Sequence, residues 1–169
     1  YELDGEPALA LYKRYLGDEA DSLPGSALLF PLTVRPPDDK HSAVVRTIVG
    51  IDDAGQSMTF AGDIPQGWVA QLMRGYFDGL TEGANHAGEA AQAMAAAKGH
   101  TLSLLVSCIG RKLLMGQRIV DEVEAVAEAT GDGAFLTGFY SYGEIAPHGF
   151  TGRCELHNQT MTVTTIGEG

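Results

Sequence analysis

The sequence predicts an α+β protein in which helices pack on a mixed, largely antiparallel sheet. Several strand-like segments are joined by short loops, and single helices are interspersed among them. The continuously apolar residues 101–107 are typical of a central strand that is buried on both faces. The 169 residues are long enough to bury a core, and we expect them to form a single domain, residues 1–169.

The chain is predicted to open with a helix followed by a strand. Residues 6–17 indicate the helix, because Pro7 suits its first turn and Gly17 suits its end. Residues 26–35 indicate the strand. Since proline cannot donate a hydrogen bond to the ladder, Pro31 predicts a sheet edge or a bulge there.

A hairpin and a less regular segment follow. Residues 43–64 predict the hairpin, with its turn at 52–55. Residues 65–79 are predicted to form a loop or a short helix that directs Trp68 inward. This segment carries the least regular apolar pattern of the first half.

Two helices are predicted on either side of the apolar strand. Residues 81–98 indicate the first, which Gly99 would end. In residues 110–129, apolar residues recur at alternating spacings of four and three, which indicates a single helix ending near Gly131. This helix would begin directly after the strand.

The last third of the chain is predicted to contain two strands, 134–145 and 153–166, joined by a loop at 146–152. The second strand carries polar residues on both faces. Burying them costs free energy unless they are hydrogen-bonded. We therefore expect them to belong to a hydrogen-bond network or to line a pocket.

The composition excludes several classes of protein. The net charge is −11, which argues against broad binding of nucleic acid or anionic lipid, since both require clustered positive charge. No apolar run approaches the roughly 18 residues of a membrane span, and no secretory signal is visible. Because the first residue is Tyr1, we expect the chain to be part of a longer protein. Cys108 and Cys154 lack metal-type spacing, which favours free thiols in a reducing compartment.

The segment Ser107–Arg111 is the first candidate site, because it lies where the apolar strand meets the following helix. The N–H groups of a helix start form an anion site. Arg111 would bind a carboxylate, either from a ligand or from a protein acid such as Glu144. The structural alternative is that Ser107 caps the helix, Cys108 fills the core and Arg111 lies on the surface.

Cys108 is also a candidate nucleophile. A thiol at a helix start beside Arg111 would have a lowered pKa, and His157 could act as its base, with Asn158 or Glu144 orienting the imidazole. However, no catalytic signature surrounds it, and buried free cysteines are commonly inert. We therefore expect no catalytic residue and no enzymatic activity.

Two tyrosines and an acid provide a second group of candidates. In the strand 134–145, Tyr140, Tyr142 and Glu144 would share one face, and Gly138 on that face would permit close approach. Such a face suits a pocket for a polar small molecule. Asn158 and Thr160 would complete its polar wall. Alternatively, the tyrosines cap the edge of the core and Glu144 pairs with a neighbour.

The histidines do not indicate a zinc site, because no two have the required helical spacing or a companion pair of cysteines. A single histidine could serve as an axial haem ligand, and His148 and His157 are the candidates for that alternative. The chain carries neither a dinucleotide fingerprint nor a P-loop. No cofactor is therefore expected unless haem is bound.

Five motifs, in order along the chain, carry a family resemblance. They are LYKRYLG (11–17), FAGDIPQGW (60–68), SCIGRKLLMG (107–116), GFYSYGEIAP (138–147) and LHNQTMTVT (156–164). Together they resemble the C-terminal domain of FIST proteins, which are intracellular sensory proteins. The N-terminal FIST domain that normally precedes this region is absent from the chain.

The resemblance implies a cytoplasmic sensory domain of bacterial signal transduction. It implies as partners the N-terminal FIST domain and a histidine kinase, a cyclic-di-nucleotide enzyme or a chemoreceptor. Amino acids have been proposed as ligands for the family, and some members are described as haem-binding nitric-oxide sensors. The implied function is therefore small-ligand sensing, with haem-based gas sensing as the alternative.

Combining the residues with the resemblance, we expect a small carboxylate or amino acid to bind near the Ser107–Arg111 turn. The predicted ligand-binding residues are Ser107, Cys108, Arg111, Tyr140, Tyr142, Glu144, Asn158 and Thr160. Arg111 and the helix N–H groups would hold the carboxylate of the ligand, and Glu144 would meet its amine. A third possibility is an interaction module without a ligand, in which the polar strand residues form a structural network.

Overall fold

The computed structural model describes residues 1–95, 99–149 and 151–167. Two compact units are present, Tyr1–Gly75 and Tyr76–Gly169. Each unit combines helix with mostly antiparallel strands, so the α+β fold class is confirmed. The single domain over 1–169 stays a prediction. No helix in the described residues combines the length and the apolar character needed to cross a membrane.

The first unit begins with a hairpin whose strands have two residues each, which the sequence analysis did not predict. Strand β1 (Glu2–Leu3) pairs with β2 (Glu6–Pro7), and Asp4 and Gly5 form the turn with φ values of 52° and 77°. Positive φ at both central positions is what an Asp-Gly hairpin turn requires. The helix predicted next is confirmed as α1 (Ala8–Leu16). The backbone N–H of Ala8 donates to the carbonyl of Tyr1, which ties the hairpin to the helix start.

After α1, the first unit continues with two 3-10 helices, Gly17–Ser22 and Gly25–Leu28, and five short strands around an apolar core. The strands are β3 (Leu32–Arg35), β4 (Val44–Arg46), β5 (Ile48–Asp52), β6 (Ser57–Phe60) and β7 (Val69–Leu72). Strand β3 is central, with β4 on one side and β7 on the other, and all pairings are antiparallel. The second sheet is the predicted hairpin, β5–β6.

Two predictions for this unit are wrong. The strand expected over 26–35 begins only at Leu32, because residues 25–28 form a 3-10 helix, and Pro31 precedes the ladder instead of marking an edge. The segment 65–79 contributes strand β7 instead of a loop or short helix. Trp68, directly before β7, does pack against the core of the unit, as expected.

Within the described residues, the second unit contains three α-helices, a three-stranded sheet and a hairpin. Its elements are α2 (Phe77–Met94), β8 (Thr101–Cys108), α3 (Ile109–Met115), α4 (Ile119–Thr130), β9 (Ala134–Ser141), β10 (Glu144–Pro147), β11 (Cys154–His157) and β12 (Met161–Gly167). In the sheet, β8 lies between β12, which is antiparallel to it, and β9, which is parallel. Helices α2 and α4 pack on each other, and their core includes Ala84, Leu105 and Val126. Strands β10 and β11 form the hairpin.

The predicted helix over 81–98 is α2, which begins at Phe77 and ends at Met94; residues 96–98 lie outside the described residues. Strand β8 matches the predicted strand, but the prediction that both of its faces are buried is wrong. Its buried face carries Ser103, Leu105 and Ser107, whereas 43% of Leu102 is exposed on the other face. Helices cover only one face of the sheet. The continuously apolar sequence of β8 therefore belongs to a strand with one buried and one partly exposed face.

The single helix predicted over 110–129 is two helices. Gly116 has a φ of +55°, a conformation that ends α3, and a short 3-10 turn precedes α4. The apolar face on which the prediction rested is exposed on both sides of this break: Leu113 is 63% exposed and Val123 is 40% exposed. The opposite face, which carries Arg111 and Glu122, is buried instead. The predicted end near Gly131 is confirmed.

The two long strands predicted near the C-terminus are also interrupted. The first is divided into β9 and β10 at Gly143, whose φ is +156°. The second is divided into β11 and β12 by residues 158–160, where Gln159 has a φ of +56°. The predicted loop at 146–152 includes Phe150, which lies outside the described residues. Because side chains alternate only within a continuous strand, each break resets the facing of the residues after it.

Gly138 allows β9 to approach β8 closely. A Cβ atom at this position would clash with the carbonyl oxygen of Leu105. We expect Gly138→Ala to lower the free energy of unfolding by about 1–3 kcal/mol, because the two strands must separate. Chemical denaturation measures the change.

Gly149→Ala is the matched control, because its Cβ would meet no atom within 4 Å. Its free energy of unfolding should change by less than about 0.5 kcal/mol. Equal stability of the two variants would contradict the close approach of β8 and β9.

Candidate functional site

A buried carboxylate, Glu122, lies at the centre of the candidate site. It projects from α4 with none of its surface exposed. Its oxygen Oε1 accepts hydrogen bonds from the hydroxyls of Ser107 and Tyr140, each at 3.1 Å. Its oxygen Oε2 accepts from Nε of Arg111 at 2.8 Å. Three donors from three elements therefore satisfy one carboxylate, as a buried charge requires.

The guanidinium of Arg111 is occupied by the protein itself. Besides the Glu122 bond, Nη2 donates to the carbonyl of Leu80 at 2.6 Å, and Nη1 contacts the carbonyl of Gln159 at 3.5 Å. Arg111 is only 3% exposed. The expectation that Arg111 meets a carboxylate holds, but the acid is Glu122 and not Glu144, and the surface alternative for Arg111 is wrong.

Glu144, the first residue of β10, is a second buried carboxylate. It is 3% exposed and accepts hydrogen bonds from the hydroxyls of Ser141 at 2.5 Å and Thr160 at 2.7 Å. The predicted common face of Tyr140, Tyr142 and Glu144 is wrong, since the break at Gly143 leaves Tyr142 88% exposed. Thr160 therefore bonds to Glu144, a contact that the sequence did not predict, whereas Tyr142 bonds to neither carboxylate within the described residues.

Cys108 lies at the junction of the two carboxylate sites. Its thiol is buried, and its backbone N–H donates to the carbonyl of Thr160 at 3.0 Å. Burial raises the pKa of the Cys108 thiol, and the charge of Glu144 raises it further, although backbone hydrogen bonds from Gln159 and Gly110, and the charge of Arg111, partly oppose the shift. The lowered pKa expected for a nucleophile is therefore wrong. Asn158 is also buried, and its Nδ2 donates to the carbonyl of His157.

The two histidines of the haem alternative lie together at the β10–β11 hairpin. The rings of His148 and His157 stack, with their centroids 5.9 Å apart. His157 Nε2 lies 3.1 Å from the carbonyl oxygen of Ala146, so that nitrogen already has a partner. Among the described residues, no three His, Cys, Asp or Glu side chains form a group that could hold a metal ion.

A cavity of about 210 Å³ borders the Glu122 network. Ser107, Glu122 and Tyr140 form its polar end. The rest of its wall is mainly apolar and comes from the sheet and α4: Leu105, Val123, Leu136, Thr137, Gly138, Phe139 and Met161. We call this space the α4 slot.

Tyr140 joins the α4 slot to the network. Burial, followed by the charge and hydrogen bond of Glu122, raises its pKa from 10.0 to about 12. The phenol therefore remains a donor to Glu122 at neutral pH. The stability gained from this shift is complete below about pH 10 and is lost as the pH rises towards 12. On its other side, the ammonium of Lys112 lies 4.9 Å from the centre of the ring.

The structure thus divides the predicted site residues into two groups. Ser107, Arg111 and Tyr140 surround Glu122, while Thr160 bonds to Glu144 and lies against Cys108. Sequence analysis missed Glu122, because the unbroken helix it assumed placed the neighbouring valine inside. The available signal was the spacing, since Arg111 and Glu122 lie about three helical turns apart and therefore share a face.

Comparison with known protein families shows to which family the chain belongs. The model of the FIST C domain matches residues 8–147, which is most of the chain and extends across both compact units. The chain belongs to the FIST C domain family. This is a family of sensory domains in signal transduction and is not a known enzyme family. No curated protein and no solved structure matches the chain.

The buried ion pair of this FIST C domain predicts a large stability difference between adjacent acids on α4. Glu122→Gln leaves Arg111 buried without its counter-charge, so we expect a loss of about 3–5 kcal/mol in the free energy of unfolding. Asp121→Asn, which removes only the exposed pair with Arg118, should cost less than about 1 kcal/mol. Chemical denaturation compares them.

The double variant Arg111→Met/Glu122→Leu provides a further check. It removes both charges and retains apolar volume, so it should be more stable than Glu122→Gln. A Glu122→Gln variant as stable as Asp121→Asn would contradict a buried ion pair.

The two cysteines should differ in how fast a thiol reagent labels them. In the folded protein, a thiol-specific reagent should modify exposed Cys154 rapidly and Cys108 only on unfolding, because burial shields Cys108 and raises its pKa. The Cys154→Ser variant isolates Cys108. If that variant reacts as fast as a free thiol at neutral pH, the nucleophile hypothesis regains support.

Proposed function

We propose that this chain is a non-enzymatic sensory domain that binds a small amino acid or related carboxylate in the α4 slot. The observation that supports the proposal is the slot itself, an apolar space that ends at a hydrogen-bonded polar cluster. Ligand pockets typically combine such an apolar wall with a few oriented polar groups. At about 210 Å³, the slot suits a ligand of amino-acid size.

The carboxylate of the ligand is assigned to Lys112 instead of Arg111. Arg111 is buried and its guanidinium is bonded to Glu122 and to backbone carbonyls. Lys112 is exposed and lies over the ring of Tyr140, which lines the slot. Its ammonium can therefore bind an acid at the mouth while an apolar side chain enters between α4 and the sheet.

Binding at this place offers a route to a signal. A ligand in the slot contacts Tyr140 and Ser107, both of which donate to Glu122. Glu122 is in turn bonded to Arg111, whose guanidinium contacts α2 and the segment before β12. A ligand that binds one arrangement of this network more tightly shifts the population towards it. The partners that would receive the signal, in a bacterial cytoplasm, are the N-terminal FIST domain and a histidine kinase, a cyclic-di-nucleotide enzyme or a chemoreceptor.

The experiment is a thermal-unfolding screen of the chain against the apolar amino acids. A ligand at about 100 times its dissociation constant adds about 2.7 kcal/mol to the free energy of unfolding, which raises the melting temperature by several degrees. We expect Val123→Phe to abolish the shift, because the larger ring fills the slot. Lys112→Met should weaken binding of amino acids but not of their decarboxylated amines.

Val120→Phe is the matched control, since Val120 lies on the same helix, is 51% exposed and is not among the residues of the slot wall. It should retain the ligand shift. Equal shifts in Val120→Phe and Val123→Phe would exclude the slot as the binding place. The absence of any shift would favour the interaction module over a ligand-binding domain.

A further inference from the structure

A second and larger cavity lies wholly within the first unit. It is an open cleft of about 1030 Å³. Its walls come from the β1–β2 hairpin, α1 and the segment 64–72. We call it the hairpin cleft. Its volume lies at the upper end of the range for small-molecule sites, which argues for a ligand larger than one that fits the α4 slot.

Four aromatic residues contribute to the wall of the hairpin cleft. Tyr1 and Tyr15 are exposed at its rim, and Trp68 lies partly buried in its wall. Tyr12 is buried behind them, and its hydroxyl donates to the carbonyl of Phe30 at 2.8 Å. That hydroxyl is used internally, so Tyr12 offers its ring to the wall. Rings of this kind attract cations through their negative faces, and tryptophan is the strongest.

The charged side chains of the hairpin cleft are both acidic. Glu2 and Asp4, both exposed, belong to its wall, and none of the described wall residues is Lys, Arg or His. Neither acid takes part in an ion pair within the described residues. Two carboxylates without a basic side chain in the same wall disfavour anions and favour a ligand that brings positive charge.

The position of the two acids is set by the backbone. Asp4 and Gly5 both have positive φ in the turn of the hairpin, and β1 pairs with β2 on either side. The carbonyl of Tyr1 accepts from the first N–H of α1 at 2.9 Å. The hairpin is therefore attached to the helix that carries Tyr12 and Tyr15, so the acids and the rings belong to one connected frame.

We propose that the hairpin cleft binds an organic cation, a substituted ammonium that carries an aromatic or hydrocarbon body. The rings contact the apolar body and the cationic head, while Glu2 and Asp4 supply the charge. This site is separate from the α4 slot and does not depend on the amino-acid ligand proposed for it.

The single tryptophan of the chain makes binding directly observable. Trp68 lines the hairpin cleft, so a ligand there changes its fluorescence. The probe is benzyltrimethylammonium, which combines a permanent cation with an aromatic body. Benzyl alcohol and benzoate serve as the neutral and anionic comparisons. We expect saturable binding of the cation, weaker binding of the alcohol and the weakest binding of benzoate. The affinity for the cation should fall with added salt, because exposed charges are screened.

The double variant Glu2→Gln/Asp4→Asn removes both charges with little change in shape, and asparagine tolerates the positive φ of position 4. We expect its dissociation constant for the probe to rise about tenfold. The matched control is Glu89→Gln/Asp132→Asn, which removes the same charge from exposed positions outside the cleft and should leave binding unchanged. Circular dichroism verifies that both variants remain folded.

Three results would overturn the proposal. They are the absence of a saturable fluorescence change with the cation, equal affinities for the cation and benzoate, and equal losses in the two double variants. The first two need no substitution, so the outcome does not depend on how a variant folds. Unchanged binding in Val123→Phe would confirm that this cleft acts separately from the α4 slot.

Discussion

The buried ion pair between Arg111 and Glu122 is the constraint on which the second unit depends. Arg111 lies at the start of α3 and Glu122 on α4, and their other partners belong to α2, β8, β9 and the segment before β12. Because a buried charge must be paired, those elements can pack only where both groups are satisfied. The pair is thus less a source of net stability than a requirement that selects one arrangement.

This constraint also decides where a ligand can bind. A guanidinium bonded to Glu122 and to backbone carbonyls is not available to a ligand, so the turn at Ser107–Arg111 is a structural junction. Tyr140 lies between this network and the α4 slot, with Lys112 on its other side. A ligand in the proposed slot would therefore contact this network through Tyr140.

The two cavities differ in the chemistry that they offer. The α4 slot is small and mainly apolar, and it ends at a carboxylate whose charge Arg111 compensates. The hairpin cleft is larger, four of its wall residues are aromatic, and its two acids take part in no ion pair within the described residues. The proposed ligands follow from this difference, because a compensated acid suits an amphoteric ligand and two unpaired acids suit a cation.

The sequence by itself determined the fold class, helix α1, the β5–β6 hairpin and the family, because these depend on local periodicity, turn residues and short motifs. It left open whether Arg111 would meet a ligand, a protein acid or solvent, and only the tertiary structure decided for Glu122. The apolar stripe of residues 110–129 is exposed, and the opposite face, which carries Arg111 and Glu122, packs inward. Strand β9 ends at Ser141, which leaves Tyr142 in solvent. Local periodicity indicates that an element has two faces, but the packing of whole elements decides which face is buried and where a strand stops.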